Sequence, residues 1–362
     1  MKICYMIDEK LQNGIKMKKP VEKSILDIKN NFDVFIFDVY GVIWNGREIY
    51  TGIPEVMKHL KQENKIIYIL SNSTMLSSSF EKNYEAEGLK KGIHYDKVIT
   101  SGEVARDFLL NKKLKFKNNS NPINFYTVGL KNKSLFENTI YNSVDNPRDA
   151  DFFYFGIPQL TEDQTKDVPS ELRDKFFLSK IRDNGEKQYS ITTPDFFKNE
   201  LLKVKKFHLS GFNANPDIGS FKNDVLNKST RYGLAQGAIS EYYKNMGGKV
   251  LEIGKPYGIV YDYIFDLLKK DNVKVNKKRI AMIGDTIRTD IRGGNLAGIQ
   301  TVLTTNTGVT ASKITKNNSI NFDELNKIFV CENGYADWLI QSVAPQQLQT
   351  NLLLTLTKNE RN

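Results

Sequence analysis

Carboxylate, hydroxyl and lysine side chains stand at four places where strand-like or turn-like segments of this sequence end. Asp38 ends the run DVFIFD, Ser71 follows IIYIL, Lys255 lies in GKP, and Asp285 and Asp290 follow RIAMIG. In open parallel sheets ligands bind beyond the carboxyl ends of the strands, so these positions are the first candidates for a site. A carboxylate nucleophile, further carboxylates for a cation and a lysine for an anion together favour phosphoryl transfer.

Phosphoryl transfer requires an aligned nucleophile and compensation of the charge on the transferring group. Asp38 is the candidate nucleophile, and its attack on phosphorus would give an aspartyl-phosphate that water hydrolyses. A carboxylate and a phosphate dianion repel each other unless a cation bridges them, and Asp38 and Asp285 can supply carboxylates to Mg²⁺. Lys255 would neutralise the remaining negative charge.

The polar run SNST has two interpretations. Ser71, with the backbone N–H groups of Asn72 and Ser73 at the start of the next helix, can bind phosphate oxygens. The same side chains can cap that helix, and for Ser73 and Thr74 both interpretations stay open. Lys255 lies between a glycine and a proline, where the chain geometry is tightly defined, and this favours a functional role over a solvated surface lysine.

The elements that must position these residues follow the pattern of an α/β sheet. Apolar runs predict strands at 33–39, 66–70, 97–100, 279–285 and 300–305. Helical spacing predicts helices at 53–65, 80–88 and 260–270, the start of a helix at 103–110 and a further helix that ends near 298, and regular βα character returns at 235–246. This alternation predicts a doubly wound, parallel, Rossmann-like sheet.

Between the two halves of this pattern lie Asn-rich loops and isolated strand candidates at 125–130, 151–157 and 206–212. Such an interruption, in a chain of 362 residues, predicts an α+β cap domain inserted into the sheet domain. We expect a core at 25–106, the inserted cap at 107–240, the second part of the core at 241–342 and a tail at 343–362.

The series DVYGV, SNS, GKP and GDTIRTD resembles the four motifs of the haloacid dehalogenase superfamily. The ANPD at 214–217 and the segment IGKPYGIVYDYIFDLL resemble its subfamily IIA, with NagD-like and 4-nitrophenylphosphatase-like members and a large α/β cap between the second and third motifs. The resemblance covers roughly residues 30 to 315, with the cap only loosely matched. It implies Mg²⁺-dependent hydrolysis of a small phosphorylated metabolite, and it allows a homodimer because related caps often mediate dimers.

The resemblance also implies roles for individual residues. The main-chain carbonyl of Tyr40 would be a further metal ligand, and Asp290 would act on the metal through water or by supporting its ligands. Tyr40 and Gly41 would line the substrate. Asn215 and Asp217 would be pocket residues, although an Asx/Pro turn explains ANPD equally well.

Tyr40 departs from the pattern of the phosphatases in this superfamily, which carry a second aspartate there. That aspartate protonates the leaving alkoxide and then activates water. General acid/base catalysis typically contributes about 10² to 10⁴-fold, so its loss predicts slow turnover, above all of poor leaving groups. Tyrosine, whose reference pKa is about 10, is a poor replacement.

Two alternatives to a phosphatase remain open. Hydrolytic 2-haloacid dehalogenases of the same superfamily carry D-x-Y-G at this position, but they need no Mg²⁺ and have a small helical cap. This chain keeps Asp285 and Asp290 and has a long insertion, which favours phosphate. The other alternative is a degenerate member that binds a phosphorylated ligand or a partner without turnover.

Composition and charge argue against other classes of function. The net charge is +10, but the lysines are scattered, and the densest basic stretches, 112–117 and 267–279, lack the motifs of nucleic-acid binding. No apolar run approaches the ~20 residues of a membrane span. The N-terminus lacks the apolar stretch of a secretory signal, which predicts a cytoplasmic protein. Cys4 and Cys331 stand far apart and predict inert thiols.

Overall fold

The computed structural model describes residues 20–111, 122–131, 133–274, 276–316 and 319–344. These residues form two compact units. Of the described residues, the first contains those at 20–71, 77–99 and 255–344, and the second contains those at 72–76 and 100–254. The basic stretch 112–117, Cys4 and most of the expected tail lie outside the described residues.

The strands are β1 (Val21–Glu22), β2 (Val34–Phe37), β3 (Ile66–Ser71), β4 (Lys97–Thr100), β5 (Ile123–Val128), β6 (Tyr141–Ser143), β7 (Phe152–Phe155), β8 (Gln159–Thr161), β9 (Phe176–Ile181), β10 (Lys187–Ile191), β11 (Gly211–Asn213), β12 (Gly219–Asp224), β13 (Ser229–Leu234), β14 (Val250–Glu252), β15 (Ile280–Gly284), β16 (Gln300–Thr304), β17 (Thr315–Lys316), β18 (Ser319–Ile320) and β19 (Trp338–Ile340). The α-helices are α1 (Ile25–Ile28), α2 (Ile53–Gln62), α3 (Ser77–Ala86), α4 (Ser101–Leu110), α5 (Lys133–Phe136), α6 (Glu162–Lys166), α7 (Lys198–Lys206), α8 (Gln236–Asn245), α9 (Gly258–Lys270), α10 (Arg292–Ala297), α11 (Gly308–Ile314) and α12 (Phe322–Glu332).

The first unit is built on a sheet with the strand order β1-β19-β16-β15-β2-β3-β4. The pairs β1·β19, β19·β16, β16·β15, β15·β2 and β2·β3 are all parallel. Val302 packs in one apolar cluster with Phe37 and Leu60, whereas the next residue, Leu303, packs in another with Phe329. Since successive side chains of a strand point to opposite faces, both faces of this sheet are covered. The predicted doubly wound parallel sheet is confirmed.

The second unit contains a sheet with the order β14-β11-β7-β5-β6, in which the pairs are parallel. An antiparallel sheet, β8-β10-β9, and an antiparallel hairpin, β12·β13, accompany it. Its core joins Phe153 and Phe155 of the parallel sheet to Leu201, Val204 and Tyr243 of the helices. The insertion is therefore mixed α/β and contains both a parallel sheet and antiparallel sheets.

The strand predicted at 206–212 is wrong over residues 206–210. Helix α7 occupies residues up to Lys206, because Leu201 and Val204 recur at helical spacing and are fully buried. His208 then takes a positive φ of 55°, which ends the helix and is incompatible with a strand, and β11 begins only at Gly211.

The bounds of the second unit differ from the expected 107–240. Helix α4 begins at Ser101, and Arg106 from this helix donates to the carbonyls of Ser134 (3.0 Å) and Leu135 (3.2 Å). At the other end, β14 pairs with β11 in the sheet of the second unit, so the unit continues to Gly254.

Two features of the described residues bear on the expectations from composition. None of their helices has both the length and the apolar character that crossing a bilayer requires. Cys331 is disulfide-bonded, so the expectation of an inert thiol is wrong for this residue.

Candidate active site

The predicted strand tips meet at one edge of the first unit's sheet. Strands β15, β2 and β3 are neighbours in that order, so their carboxyl ends lie together. Asp38 follows β2, Ser71 is the last residue of β3, and Asp285 follows β15. All three side chains are buried. The sheet thus collects a hydroxyl and two carboxylates that are distant in the sequence.

Lys255 is the cation of this group. Its side chain is only 2% exposed, and its ammonium forms ion pairs with Asp38 Oδ1 and, at 2.7 Å, with Asp290 Oδ1. It also donates to the carbonyl of Leu70 at 3.3 Å. Burial opposes the charge of Lys255, but the carboxylates of Asp290 and Asp38 outweigh burial and hold its pKa above the ordinary value. Lys255 therefore stays protonated between two carboxylates.

Asp38, Asp285 and Asp290 form a buried cluster that fits a divalent cation. One oxygen from each lies within 4.8 Å of those of the others. Burial and then the charge of Asp290 raise the pKa of Asp38 well above its ordinary value, and the same two causes raise the pKa of Asp285 to about 7. When all three carboxylates are ionised, they exceed the single ammonium of Lys255 by two negative charges, and Mg²⁺ would balance these and find the oxygen ligands that it prefers.

Hydrogen bonds fix both carboxylates that follow β15. Asp290 Oδ2 accepts from the N–H groups of Asp285 (3.2 Å) and Thr286 (3.0 Å), while its Oδ1 faces Lys255. Asp285 accepts from the hydroxyl of Thr286 at 3.0 Å and from the N–H of Val309 at 2.5 Å. Asp290 therefore braces the turn that carries Asp285 and also holds Lys255.

Two glycines make room for Asp285. Gly41 and Gly308 have φ values of +81° and +82°, which favour glycine. A Cβ at Gly41 would lie 2.6 Å from Asp285 Oδ2, and one at Gly308 would lie 2.0 Å from it. The sequence indicated Gly41 but missed Gly308 and Val309. Their signal is the polar run TTNTG after β16, which resembles the polar runs after the other strands.

Tyr40 follows Asp38 closely in the chain, and the residue is 56% exposed. Partial desolvation and the nearby charge of Asp38 raise the pKa of its phenol above the ordinary value of 10.0. The phenol therefore stays protonated at neutral pH and is a weak acid. The predicted role of the Tyr40 carbonyl as a metal ligand, and those of Tyr40 and Gly41 toward substrate, stay predictions.

The second unit brings together the other predicted residues. The amide of Asn72 donates to Asp217 Oδ1 at 2.8 Å, and the N–H of Asp217 donates to Asn215 Oδ1 at 3.0 Å. The hydroxyl of Ser101 lies 3.0 Å from the carbonyl oxygen of Ser73 and 2.5 Å from that of Ala214. The ANPD segment thus forms the Asx turn that one interpretation predicted. Substrate binding by these residues stays a prediction.

Family profiles match two stretches of the chain, which lie mostly in the first unit. The profile described as haloacid dehalogenase-like hydrolase matches residues 35–124, and one described as HAD-hydrolase-like matches 252–326. Phosphoglycolate phosphatase 1A, chloroplastic, of Arabidopsis thaliana is 25% identical over 280 residues, which cover 76% of this chain and 68% of the relative. Chronophin of Rattus norvegicus is 22% identical over 289 residues, which cover 80% and 81%.

Solved structures share the fold. A haloacid dehalogenase-like hydrolase from Brucella suis 1330 aligns with a TM-score of 0.62 at 19% identity and covers 89% of this chain and 99% of its own. The 4-nitrophenylphosphatase from Thermotoga maritima aligns with a TM-score of 0.56 at 19% identity and covers 88% and 97%. With its matching profiles and its buried strand-tip residues, the chain belongs to the haloacid dehalogenase superfamily.

Proposed function

We propose that this protein is a Mg²⁺-dependent hydrolase of small phosphate monoesters that works through an aspartyl-phosphate on Asp38. The observation that carries the proposal is the buried cluster in which Lys255 pairs with Asp38 and Asp290 while Asp285 adds a further carboxylate. The excess of buried negative charge requires a cation. The phosphoryl group of a bound substrate is also negative and requires a cation as well. The phosphatases among the relatives support the same class of substrate.

Asp38 performs the chemistry in two displacements at phosphorus. In the first, a carboxylate oxygen of Asp38 forms a bond to phosphorus while the bond from phosphorus to the ester oxygen breaks and the alkoxide leaves. In the second, water attacks the same phosphorus, the bond to Asp38 breaks, and inorganic phosphate is released. Lys255 holds Asp38 in place and offsets charge at the nucleophile in both steps.

Asp38 and Asp285 would hold Mg²⁺ directly, with Asp290 and the Tyr40 carbonyl as the further predicted contributors. When bound, Mg²⁺ would neutralise the negative charge shared by the carboxylates and the phosphate. The hydrogen bonds from Thr286 and Val309 to Asp285 keep that carboxylate oriented. Gly41 and Gly308 keep the space beside it clear.

Tyr40 limits how well the leaving group can be protonated. Its phenol is a weaker acid than the carboxylic acid usual at this position, and its raised pKa weakens it further. Nitrophenolate leaves without a proton, whereas an alkoxide requires one. We therefore propose low turnover of alkyl phosphates and appreciable turnover of 4-nitrophenyl phosphate.

The test measures phosphate release from 4-nitrophenyl phosphate with and without Mg²⁺, with an Asp38→Asn variant as control. Asn keeps the size of the side chain but is not a nucleophile, and circular dichroism establishes that the variant is folded. We expect Mg²⁺-dependent release that the variant lacks. Release that is absent, or equal in the variant, would overturn the proposal.

Tyr40 also supports the two alternatives, and the same protein sample distinguishes them. Chloride release from 2-chloropropionate without Mg²⁺ would identify a dehalogenase. Calorimetric binding of phosphate esters without turnover would identify a degenerate binder. A panel of small phosphate esters then finds the substrate class if Mg²⁺-dependent release is observed.

A further inference from the structure

The hairpin β12·β13 of the second unit carries two cations on one face. Lys222 and Arg231 are direct partners in its register. Side chains of residues that face each other directly in an antiparallel pair lie on the same side, and like charges at such positions repel each other. This pair therefore needs compensation from elsewhere.

Lys222 receives little compensation from its neighbours. Its ammonium donates to Ser190 Oγ at 3.2 Å, and the fully buried Ser190 in turn donates to Ser179 Oγ at 2.8 Å. Its stem lies over Gly233, where an added Cβ would be 3.0 Å from Lys222 Cδ. In the described part of the chain, its polar contact is this neutral hydroxyl and not a carboxylate. Burial lowers the pKa of Lys222 below its ordinary value.

Asp224 is the nearby carboxylate of the hairpin, and other groups already occupy it. Its side chain is 1% exposed and accepts from the N–H (3.2 Å) and the amide (2.9 Å) of Asn227. Arg231 reaches it with one nitrogen at 3.5 Å while lying over the ring of Phe177, 4.8 Å from its centroid. A guanidinium has five N–H donors, so Arg231 retains donors for another acceptor.

We propose that Lys222 and Arg231 form a binding site for a small oxyanion, a phosphate or a carboxylate, in the second unit. The ligand supplies the negative charge that Lys222 lacks. Lys222 provides a point charge held in place by Ser190, and Arg231 provides planar donors that suit the two oxygens of such an anion. The site goes beyond the proposed hydrolysis, since binding there requires no turnover.

The test is chemical labelling of lysine amines in the full-length protein, read at each lysine by mass spectrometry. Inorganic phosphate should protect Lys222, and at ten times the dissociation constant it should lower labelling about tenfold. Lys228, exposed in the turn of the same hairpin, is the matched control and should stay unchanged. Sodium chloride at equal ionic strength separates binding from screening. Absence of protection, equal protection of Lys228, or equal protection by chloride would overturn the proposal.

Two variants and a second anion extend the test. Arg231→Gln should remove most of the protection of Lys222. Lys222→Met keeps the apolar stem, and phosphate should raise its urea midpoint less than it raises that of the unchanged protein. An equal increase in both would contradict the site even if Arg231→Gln fails to fold. Malonate that protects as well as phosphate identifies a general oxyanion site; protection by phosphate alone identifies a phosphate site.

Discussion

Each unit of this molecule contains a buried carboxylate paired with a lysine, and the two pairs differ in what surrounds them. In the second unit, Glu252 accepts from Lys244 (2.8 Å), Ser240 (2.7 Å) and Asn213 (2.7 Å), so its charge and its oxygens are satisfied within the unit. In the first unit, Lys255 faces Asp38 and Asp290 and has a third carboxylate nearby.

The difference separates a structural charge cluster from a functional one. A balanced cluster such as that of Glu252 fixes the positions of α8, β11 and β14 and needs nothing from outside. An unbalanced one is unfavourable by itself, because like charges held together in a buried place raise the free energy of the folded protein. Such a site becomes favourable only when an ion or a charged substrate arrives, which is why perturbed carboxylates mark functional sites.

The largest expected effect is that of removing Lys255, and Lys244 of the second unit provides the comparison. Lys255→Met should lower turnover of 4-nitrophenyl phosphate by about 10³-fold or more, because the nucleophile loses its charge partner and its orientation. Lys244→Met should leave turnover within about twofold, since this lysine is partly exposed and its loss affects only the local packing of the second unit. Steady-state kinetics of both variants measures the difference.

Circular dichroism and urea unfolding serve as controls for these variants. If Lys255→Met is folded and retains more than about a tenth of the activity, Lys255 is not part of the machinery. If Lys244→Met loses as much turnover as Lys255→Met, the distinction between the two clusters fails.

Tyr40→Asp makes the cluster of the first unit more negative, because it adds a fourth carboxylate. It therefore increases the difference in charge between this cluster and that of Glu252. Turnover of alkyl phosphates should rise by up to about 10²-fold as the leaving group gains a proton donor, and that of 4-nitrophenyl phosphate should change little. The activity should also require more Mg²⁺ for saturation. A Tyr40→Phe variant controls for loss of the phenol alone. Unchanged or lower alkyl turnover in a folded Tyr40→Asp protein would mean that Tyr40 serves another purpose.

Gly308→Ala tests whether the position of Asp285 matters. The added Cβ would lie 2.0 Å from Asp285 Oδ2, so the carboxylate must move, and we expect about a tenfold loss of kcat/KM at fixed Mg²⁺. Gly298→Ala is the matched control, since its φ of +76° imposes the same backbone strain but the nearest atom is Lys277 Cδ at 3.9 Å. Equal losses in both variants would attribute the effect to backbone strain.

The sequence predicted the first unit well because its signals are local. A buried run such as Val34–Phe37 followed by Asp38 identifies a strand and its tip without knowledge of any partner. The order of three such tips, with the GKP lysine between the second and the third, then identified the site. The role of Gly308 was not predicted. A glycine is required there because the side chain of Asp285 lies next to it, and only the folded chain brings the two residues together.

The second unit was predicted less well because its signals depend on pairing. Lys222 and Arg231 are unremarkable in the sequence, and only the register of β12 and β13 places them on one face. The last residue of α7, the turn after it and the start of β11 were predicted as one strand, because the run KFHLSGF alternates apolar and polar residues and the positive φ of His208 is not visible in it. Asn72 was predicted to bind phosphate through its backbone N–H and Asp217 was predicted as a pocket residue, but the hydrogen bond between their side chains was not predicted.

The smallest expected effect is a change of Mg²⁺ affinity with pH. Burial and the charge of Asp290 raise the pKa of Asp285 to about 7, so this carboxylate keeps its proton in the folded protein where the unfolded chain, near pH 4, has already lost it. The metal-free protein should therefore lose stability as pH rises from about 4 to about 7.

Mg²⁺ requires the ionised form, so its affinity should rise about threefold between pH 6.5 and 7.5 as that proton leaves. Thermal unfolding with graded Mg²⁺ at the two pH values measures this, and Asp285→Asn, which cannot titrate, should show a pH-independent response. An affinity that stays constant, or falls, across this range would mean that the charge excess is compensated without the metal. The contrast between the two buried clusters would then lose its functional meaning.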